Sequence, residues 1–263
     1  MFVVAPLVAV GAPITLLMAA VSPGVHGRLV RLLNSAVLPV LSAFLVGCAS
    51  LHSFATTAGP ATPIPTYQVG DRWTYQAQEG FRAKQRWVEI HEVMAVDPTG
   101  IKVRITQKGD GIFNVRMEEW SAPGQVRVGA LYDHETRYFE VPLRRFDFPL
   151  ASGEKWNQWV RDSDETMNTH GTINRYVRVG GWEKVSTPAG TFDAIKLGVV
   201  MRLDDEEFWR GPTTCTYSVW YAPAVRNVVR EERNADYVEK SERDNVHTQH
   251  ALLQLSDFTS GSR

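Results

Sequence analysis

Gly100-Ile101-Lys102-Val103-Arg104-Ile105-Thr106 is the stretch of sequence that decides the fold. Its isoleucines and valine alternate with lysine, arginine and threonine, so apolar and polar side chains follow each other with a period of two. Successive side chains of a β-strand point to opposite faces of the sheet. The stretch therefore predicts a strand with one buried face and one face in solvent.

Runs of the same kind recur along the chain, and turn-forming residues separate them. Asp97-Pro98-Thr99-Gly100 and Ala122-Pro123-Gly124 are suited to tight reversals, and no long segment shows helical apolar spacing. We therefore predict an all-β fold, a single domain in which antiparallel strands form one strongly curved sheet. The other strand-like runs are Trp73–Gln78, Trp87–Val93, Val115–Trp120, Gln125–Leu131, Ile173–Val179, Phe192–Met201, Thr213–Tyr221 and Val225–Glu231.

A short motif occurs twice in this pattern. Gly70-Asp71-Arg72-Trp73 and Gly153-Glu154-Lys155-Trp156 share a glycine, an acid, a base and a tryptophan in the same order. Four matching residues are too few to indicate two domains. We interpret the motif as a hairpin solution used twice, each time with a tryptophan entering a strand.

The first part of the chain has the layout of an exported bacterial lipoprotein. Arg28 and Arg31 precede an apolar run over residues 32–44 that is too short to span a bilayer comfortably. The run leads into Leu45-Val46-Gly47-Cys48, which resembles the lipobox, the motif whose cysteine thiol receives diacylglycerol. We expect residues 28–47 to be a signal peptide, and lipid on Cys48 to hold the mature chain in a membrane.

Two alternatives remain open for this part of the chain. Residues 29–47 could form a plain membrane helix, in which case Cys48 is incidental. The uncharged residues 1–27 either lie upstream of the true translation start or form a membrane helix before an internal lipobox. Ala49 follows the cysteine at a position where aspartate commonly retains Gram-negative lipoproteins in the inner membrane. We therefore expect a location in the cell envelope, at the outer membrane and facing the periplasm.

The remainder of the chain divides into a linker, one domain and a tail. Residues 48–65 are rich in alanine, serine, threonine and proline and predict a flexible tether. Residues 66–258 are long enough to bury one sizeable core, and residues 259–263 form the tail. Beyond Cys48 the formal charge is 26 − 29 = −3, because two of the 28 basic residues precede that cysteine. This near-balance gives no electrostatic footprint for nucleic acid.

Several segments together resemble the TapB-like bacterial lipoproteins, which are related to the domain of unknown function 3108. The similarity covers roughly residues 66–258, and one departure is Ala224-Val225-Arg226-Asn227, where a glycine turn is expected. The resemblance implies a curved sheet similar to the half-barrels of periplasmic lipid carriers, and it brings no catalytic residues. The segments are Tyr67–Tyr75, Pro149–Trp156, Trp182–Ala194 and Trp220–Pro223.

No group of residues predicts a catalytic or metal site. His247 and His250 would point to opposite faces of a strand, and Asp204-Asp205-Glu206-Glu207 lacks the spacing of a calcium loop, so we interpret it as a solvated hairpin tip. Similarly, Arg226–Arg233 reads as a solvated strand face. Cys215 should be a small buried hydrophobe. We expect no cofactor and no metal, and the alternative of an envelope hydrolase would have to use the polar segment from Asp162 to His170 or an unseen cluster around a histidine, His134 included.

The aromatic residues supply the remaining hypotheses. All eight tryptophans lie beyond Cys48, and rings that line the concave side of a curved sheet would suit an apolar ligand or a partner strand. We therefore expect a non-catalytic binding or assembly module for a hydrophobic ligand or an envelope protein. A surface-interaction protein of a larger envelope complex is the alternative that the Phe208-Trp209 tip favours. The candidate contact residues are Trp156, Trp159, Trp182, Trp209, Trp220 and Phe208.

Overall fold

The structure is a computed structural model that describes residues 57–109, 111–132, 135–164, 168–205, 207–241 and 243–261. Cys48, the lipobox and the predicted signal peptide lie outside the described residues. Residues 54–263 belong to one compact unit. Within the described part of the chain, no helix has the length and apolar character needed to cross a membrane.

In the described part of the chain, twelve antiparallel strands follow one another around a closed barrel, with each strand paired to the next and β12 paired to β1. The all-β fold and the single curved sheet are therefore confirmed, and the curvature continues until the sheet closes on itself. The strands are β1 Arg72–Glu79, β2 Gln85–Asp97, β3 Gly100–Gly109, β4 Ile112–Ala122, β5 Gln125–Gly129, β6 Arg137–Arg144, β7 Lys155–Asp164, β8 Thr169–Thr187, β9 Gly190–Asp204, β10 Thr213–Ala222, β11 Asn227–Val238 and β12 Asn245–Thr259.

Closure determines how much space the barrel encloses. The diameter of a barrel grows with its number of strands, and about eight strands already enclose an interior that side chains just fill. Twelve strands therefore leave room inside unless large residues occupy it. Buried aromatic and aliphatic side chains such as Trp73, Ile105 and Leu253 fill part of this interior.

The repeated glycine-acid-base-tryptophan motif forms the same turn in both places. Gly70 and Gly153 have φ angles of 86° and 93°, a left-handed conformation that glycine adopts without steric cost. Asp71 accepts a hydrogen bond from the amide of Gln68 (2.8 Å), and Glu154 accepts one from the amide three residues before it (3.0 Å). The tryptophan is the second residue of β1 in one copy and of β7 in the other. In both copies the tryptophan enters a strand, as expected, but the first copy is not part of a hairpin, because no strand precedes β1 in the described chain.

Arg226 explains the absence of a glycine in the turn between β10 and β11. Its φ is 57°, in the left-handed region that usually selects glycine. Its guanidinium donates to Asp71 Oδ1 (2.7 Å) and to the carbonyl of Thr66 (3.1 Å). Because the Asp71 carboxylate is completely buried, this ion pair stabilises a conformation that is otherwise unfavourable for arginine.

Strands β6 and β7 are not predicted by the alternating pattern, because β6 contains Pro142 and β7 is mostly polar. Only Tyr138 and Phe139 of β6 pair with β7 along the backbone. Toward the end of β6, the Gln158 side chain replaces the missing backbone hydrogen bonds between the two strands. It accepts from the amide of Arg144 (2.8 Å) and donates to the carbonyl of Pro142 (2.9 Å).

The β8–β9 hairpin continues beyond a register shift between Val179 and Trp182 and lies against the barrel wall. The amide of Ala189 at its tip donates to the carbonyl of Leu255 (3.0 Å). The last part of the predicted linker also contacts the barrel, since Thr62 is buried and its amide donates to the carbonyl of Leu150 (2.8 Å).

Candidate functional site

Strand β4 reverses the usual distribution of apolar and charged side chains. Phe113, Val115 and Met117 alternate along its outer face and are exposed. Arg116 and Glu118 occupy the opposite face and line a cavity inside the barrel. A charged inner face and an apolar outer face contradict simple burial of apolar groups, so the inner face needs partners that compensate its charges.

The cavity has a volume of ≈ 90 Å³. Since one water molecule needs roughly 10–15 Å³ on this measure, the cavity holds a handful of water-sized groups. Apolar side chains form part of its wall, among them Val126, Leu143, Val199 and Met201. Its charged residues, which we call the cavity cluster, are four arginines and three glutamates: Arg116, Arg145, Arg175, Arg233, Glu89, Glu118 and Glu231.

Glu89 on β2 is a fully satisfied carboxylate. It accepts hydrogen bonds from His91 Nε2 (2.8 Å), Gln107 Nε2 (2.8 Å) and Trp87 Nε1 (3.2 Å). Burial alone would raise the pKa of Glu89, but the bond from His91 and nearby arginine charges outweigh it and hold the pKa well below its ordinary value of 4.5. Glu89 is therefore a fixed negative charge at neutral pH.

Glu118 on β4 and Arg145, which follows β6, form a two-point ion pair. Arg145 Nη1 and Nη2 donate to the two carboxylate oxygens at 2.9 Å and 3.0 Å, and Trp120 Nε1 also donates to Glu118 (2.9 Å). Burial opposes ionisation of Glu118, yet the arginine charge lowers the pKa of this carboxyl below its ordinary value. Bidentate pairing of this kind combines strength with a fixed orientation.

Arg233 on β11 pairs with Glu231 on the same face of the strand, with Nε donating at 2.7 Å. Burial would lower the pKa of Arg233, but the negative charge of Glu231 raises it above its ordinary value. Two of the four arginines in the cavity cluster, Arg145 and Arg233, therefore have a carboxylate partner.

Arg175 and Arg116 have no such partner. Arg175 on β8 is 5% exposed, and it donates only to the backbone carbonyls of Arg144 (2.6 Å) and Arg145 (3.2 Å). Burial, with a smaller contribution from the charge of Arg145, lowers the pKa of Arg175 to about 10, so it stays charged at neutral pH. Arg116 Nε and Nη1 are buried and have no hydrogen-bond partner.

The charges of the cavity cluster do not cancel. Four arginines and three glutamates give 4 − 3 = +1 when His91 is neutral. Buried donors are almost always hydrogen-bonded. A buried ion without a partner lowers the stability of a protein by roughly several kcal/mol. The cavity therefore retains one positive charge and at least two free N–H groups at a cost in stability.

A second group of buried charges lies where β6, β7 and the β9–β10 connection meet, and we call it the paired cluster. Arg137 donates to Asp162 and Asp205 at 2.7 Å, and Arg210 donates to Asp205 at 2.7 Å. The side chain of Asp205 is 5% exposed. The expectation of a solvated tip over residues 204–207 is therefore wrong for Asp205, because the two arginines draw its carboxylate inward.

None of the six aromatic candidates from the sequence lines the cavity. Trp156 is buried, with Nε1 donating to the Arg144 carbonyl (3.2 Å), while Trp159 on the same strand is 66% exposed. Trp220 is buried beneath Lys196 and Arg230, whose charges lie over its ring at 4.7 Å and 5.2 Å.

The remaining three candidates lie outside the barrel interior. Trp182 packs against Gly59, where an added Cβ would come within 2.3 Å of the indole. Phe208 is 89% exposed and Trp209 is 40% exposed, as expected for the tip between β9 and β10. The role of all six in ligand or partner contact stays a prediction.

The histidines named for a hydrolase do not assemble a catalytic group in the described structure. His250 Nδ1 bonds to the Asn234 amide oxygen (2.7 Å), and Phe81 stacks on its ring. His170 is exposed, and His134 lies outside the described residues. The cavity does contain a His91–Glu89 pair, but no serine, threonine or cysteine lines it.

Cys215 is a buried free thiol, as predicted. No group of three or more potential metal ligands occurs among the described side chains.

The residues of the cavity cluster were not identified as a site from the sequence. Glu231 and Arg233 lie in the run expected to be a solvated strand face, and that expectation is wrong for both, because they line the cavity. One feature of the sequence does point to the site. Arg175 lies in the buried register of β8, between Ile173 and Val177, where a charged residue is out of place.

Comparisons with known proteins find solved structures that are similar to this chain only at low sequence identity. No protein-family model matches the sequence, and no curated protein matches it either. A solved structure of a candidate lipoprotein from Parabacteroides distasonis is 15% identical and covers 76% of this chain and 100% of its own, with a TM-score of 0.47. A candidate exported protein with a YmcC-like fold from Bacteroides fragilis gives the same identity and coverage and a TM-score of 0.46.

The hypothetical lipoprotein YmcC from Escherichia coli is 9% identical, with a TM-score of 0.34, and the match covers 70% of this chain and 84% of YmcC. These values are too low to support any argument about function. The resemblance to TapB-like lipoproteins consequently rests on the sequence segments alone.

Proposed function

We propose that the protein is a non-catalytic binding module, held at a membrane by lipid on Cys48, and that the cavity inside the barrel is its binding site. The observation that carries this proposal is the cavity cluster, whose charges are buried and only partly paired. Charged groups kept in a cavity at a cost in stability are typical of sites that meet a ligand.

The sequence predicts a hydrophobic ligand or an envelope partner, and the cavity modifies the first of these expectations. Leucine, valine and methionine side chains form part of the wall, arginines and glutamates form another part, and aromatic side chains such as Trp120 and Phe146 also line it. A ligand that suits both parts has an apolar portion and a polar or charged portion.

The binding function can be tested on the full-length protein extracted from its own membrane in mild detergent. Native mass spectrometry should show the chain with one small molecule bound. Replacing Val199 in the cavity wall by Trp should fill the space and remove that mass, whereas Val200→Trp changes the next side chain, which points outward, and should not. A wild-type chain that never carries a small molecule, and binds none when offered, would contradict the proposal.

The anchor and the location belong to the same proposal. The positive residues, the apolar run and the lipobox ending in Cys48 support a lipidated envelope protein of the TapB-like kind, at the outer membrane and facing the periplasm. Several acyl chains together give stable anchoring, at about 0.8 kcal/mol for each buried methylene.

Labelling with radioactive palmitate tests the anchor. The wild-type chain should incorporate label, and Cys48→Ser should incorporate none and accumulate as an unprocessed precursor. Cys215→Ser is the matched control, because this buried thiol has no part in lipid transfer. Membrane-bound wild-type protein without label would show that Cys48 is not the anchor.

A second candidate function, contact with an envelope partner, rests on exposed rings at one end of the barrel. In a barrel of this topology alternate connections lie at the same end, so the β1–β2, β3–β4 and β9–β10 connections are all at one end. Phe81, Phe113 and Phe208 expose most of their rings at this end. Crosslinking in cells should give a neighbour that disappears with Phe208→Ser. A crosslinking pattern unchanged by that substitution would remove the support for this candidate.

A further inference from the structure

The unmatched arginines of the cavity indicate the chemical class of the ligand. We infer, resting on the binding function proposed above, that the cavity takes a small monocarboxylate, with its carboxylate on Arg116 and Arg175 and its alkyl part against the apolar wall. This assigns the two guanidiniums a partner that the protein itself does not provide.

The charge balance selects a single negative charge. With His91 neutral the cavity cluster has a charge of +1, so a monoanion brings the cavity to neutrality. A dianion would leave a buried negative charge without compensation, which is costly in a site of low dielectric constant. A neutral ligand would leave the positive charge of Arg116 and Arg175 without compensation.

The hydrogen-bond donors agree with this choice. Arg116 Nε and Nη1 are buried and unpaired, and the N–H of either atom can donate a charge-assisted hydrogen bond to a carboxylate oxygen. Arg175 contacts only main-chain carbonyls, which have no formal charge. The glutamates of the cluster are less available, because Glu89 and Glu118 each accept three hydrogen bonds from protein side chains.

The size and lining of the cavity limit the rest of the ligand. A volume of ≈ 90 Å³ corresponds to about six to nine water-sized groups, which suits a carboxylate with a chain of a few carbons and excludes a complete lipid. Val126, Leu143 and Met201 offer no hydrogen bonds, so the part of the ligand against them must be apolar. Inorganic phosphate has no apolar part and fits this wall poorly.

Equilibrium dialysis of radiolabelled butyrate against the full-length chain in nonionic detergent tests the inference, with detergent alone as the blank. Butyrate should bind at one site. Butyramide, which has the same shape without the charge, should compete at least tenfold more weakly, since losing charge-assisted hydrogen bonds costs about one factor of ten or more.

Variants of the protein locate the bound carboxylate. Arg175→Gln and Arg116→Gln should each weaken butyrate binding about tenfold, and Arg178→Gln should leave it unchanged. Arg178 is a matched control because it lies on the same strand as Arg175 and is exposed. Arg116→Gln also guards against misfolding, because Arg116 Nε and Nη1 make no hydrogen bond that the substitution could remove.

Three results would overturn the inference. They are butyramide binding as tightly as butyrate, orthophosphate displacing butyrate at equal or lower concentration, and Arg178→Gln weakening binding as much as Arg175→Gln. If native mass spectrometry finds a bound molecule without an acidic group, the binding function stands and only the ligand class is wrong. If no ligand and no probe binds, both are wrong.

Discussion

The two clusters of buried arginines in the barrel differ in how they are compensated. In the paired cluster, Arg137 meets two buried carboxylates and Arg210 meets Asp205 as well. In the cavity cluster, Arg175 has only main-chain carbonyls and two nitrogens of Arg116 have nothing. Charges that meet an opposite charge within the protein fix a structure, whereas charges left partly uncompensated beside a cavity are poised for a ligand. The comparison thus separates a structural cluster from a binding site.

The largest expected effect comes from breaking the paired cluster. Arg137→Met should lower the free energy of unfolding by about 3–5 kcal/mol, because Asp162 then stays buried without its cation. Urea denaturation measures the change, with Arg161→Met at an exposed position of β7 as the control. Arg116→Met should cost less than Arg137→Met, since no hydrogen bond of its Nε or Nη1 is lost and only its charge near Glu89 and Glu118 is removed. Equal losses for Arg137→Met and Arg116→Met would mean that the two clusters do not differ.

Low pH should act next, through the carboxylates of the cavity cluster. Glu89 and Glu118 have pKa values below their ordinary value of 4.5 in the folded protein. A lowered folded pKa gives stability that is present above the unfolded pKa and is lost as pH falls toward the folded value. Below pH 4.5 each carboxylate should therefore cost about 1.4 kcal/mol per pH unit.

Urea denaturation between pH 7 and pH 3 measures this acid effect. Glu89→Gln should be less stable than the wild type at pH 7 but should lose less stability on acidification. A variant whose stability falls as steeply as that of the wild type would show that Glu89 is not one of the groups responsible.

A smaller effect should follow from adding one more unmatched cation to the cavity. Glu118→Gln leaves Arg145 without its charged partner and should cost about 2 kcal/mol, the value of hydrogen bonds to a charged group. It also raises the cavity charge from +1 to +2, so butyrate should bind several-fold more tightly. Glu119→Gln is the matched control, because the neighbouring Glu119 pairs with Lys102 and Arg127 at the outer surface. Weaker butyrate binding to Glu118→Gln would contradict the assignment of an anionic ligand.

The sequence predicts the strands better than it predicts the site. Alternation such as Gly100–Thr106 identifies most strands, and the two copies of the glycine-acid-base-tryptophan motif identify two strand entries. Alternation distinguishes the two faces of a strand but does not say which is the interior. In β4 the charged face is the inner one, so the usual rule gives the opposite answer.

The partners within each cluster are also hidden from local patterns. Glu118 pairs with Arg145, 27 residues away, and Arg137 pairs with Asp205, 68 residues away. Residues so far apart in the sequence meet only after the strands have paired around the barrel. Whether an arginine has a carboxylate partner therefore depends on the closed sheet. It cannot be predicted from the residues near that arginine in the sequence.

The smallest expected effect concerns Trp159, which tests whether the comparison holds for uncharged side chains too. Trp159 is 66% exposed and is not among the residues that line the cavity, so Trp159→Ala should change the free energy of unfolding by less than about 0.5 kcal/mol. Trp156, three residues before it, is buried, and its indole shares the Arg144 carbonyl with Arg175. Trp156→Ala should cost about 3 kcal/mol through the cavity it creates and should also loosen Arg175.

Because Trp159→Ala leaves stability intact, any loss of an envelope partner in that variant would reflect contact at the outer surface. If Trp159→Ala instead weakened butyrate binding, the outer and inner faces of β7 would be coupled, and the cavity cluster could not be treated as a site on its own.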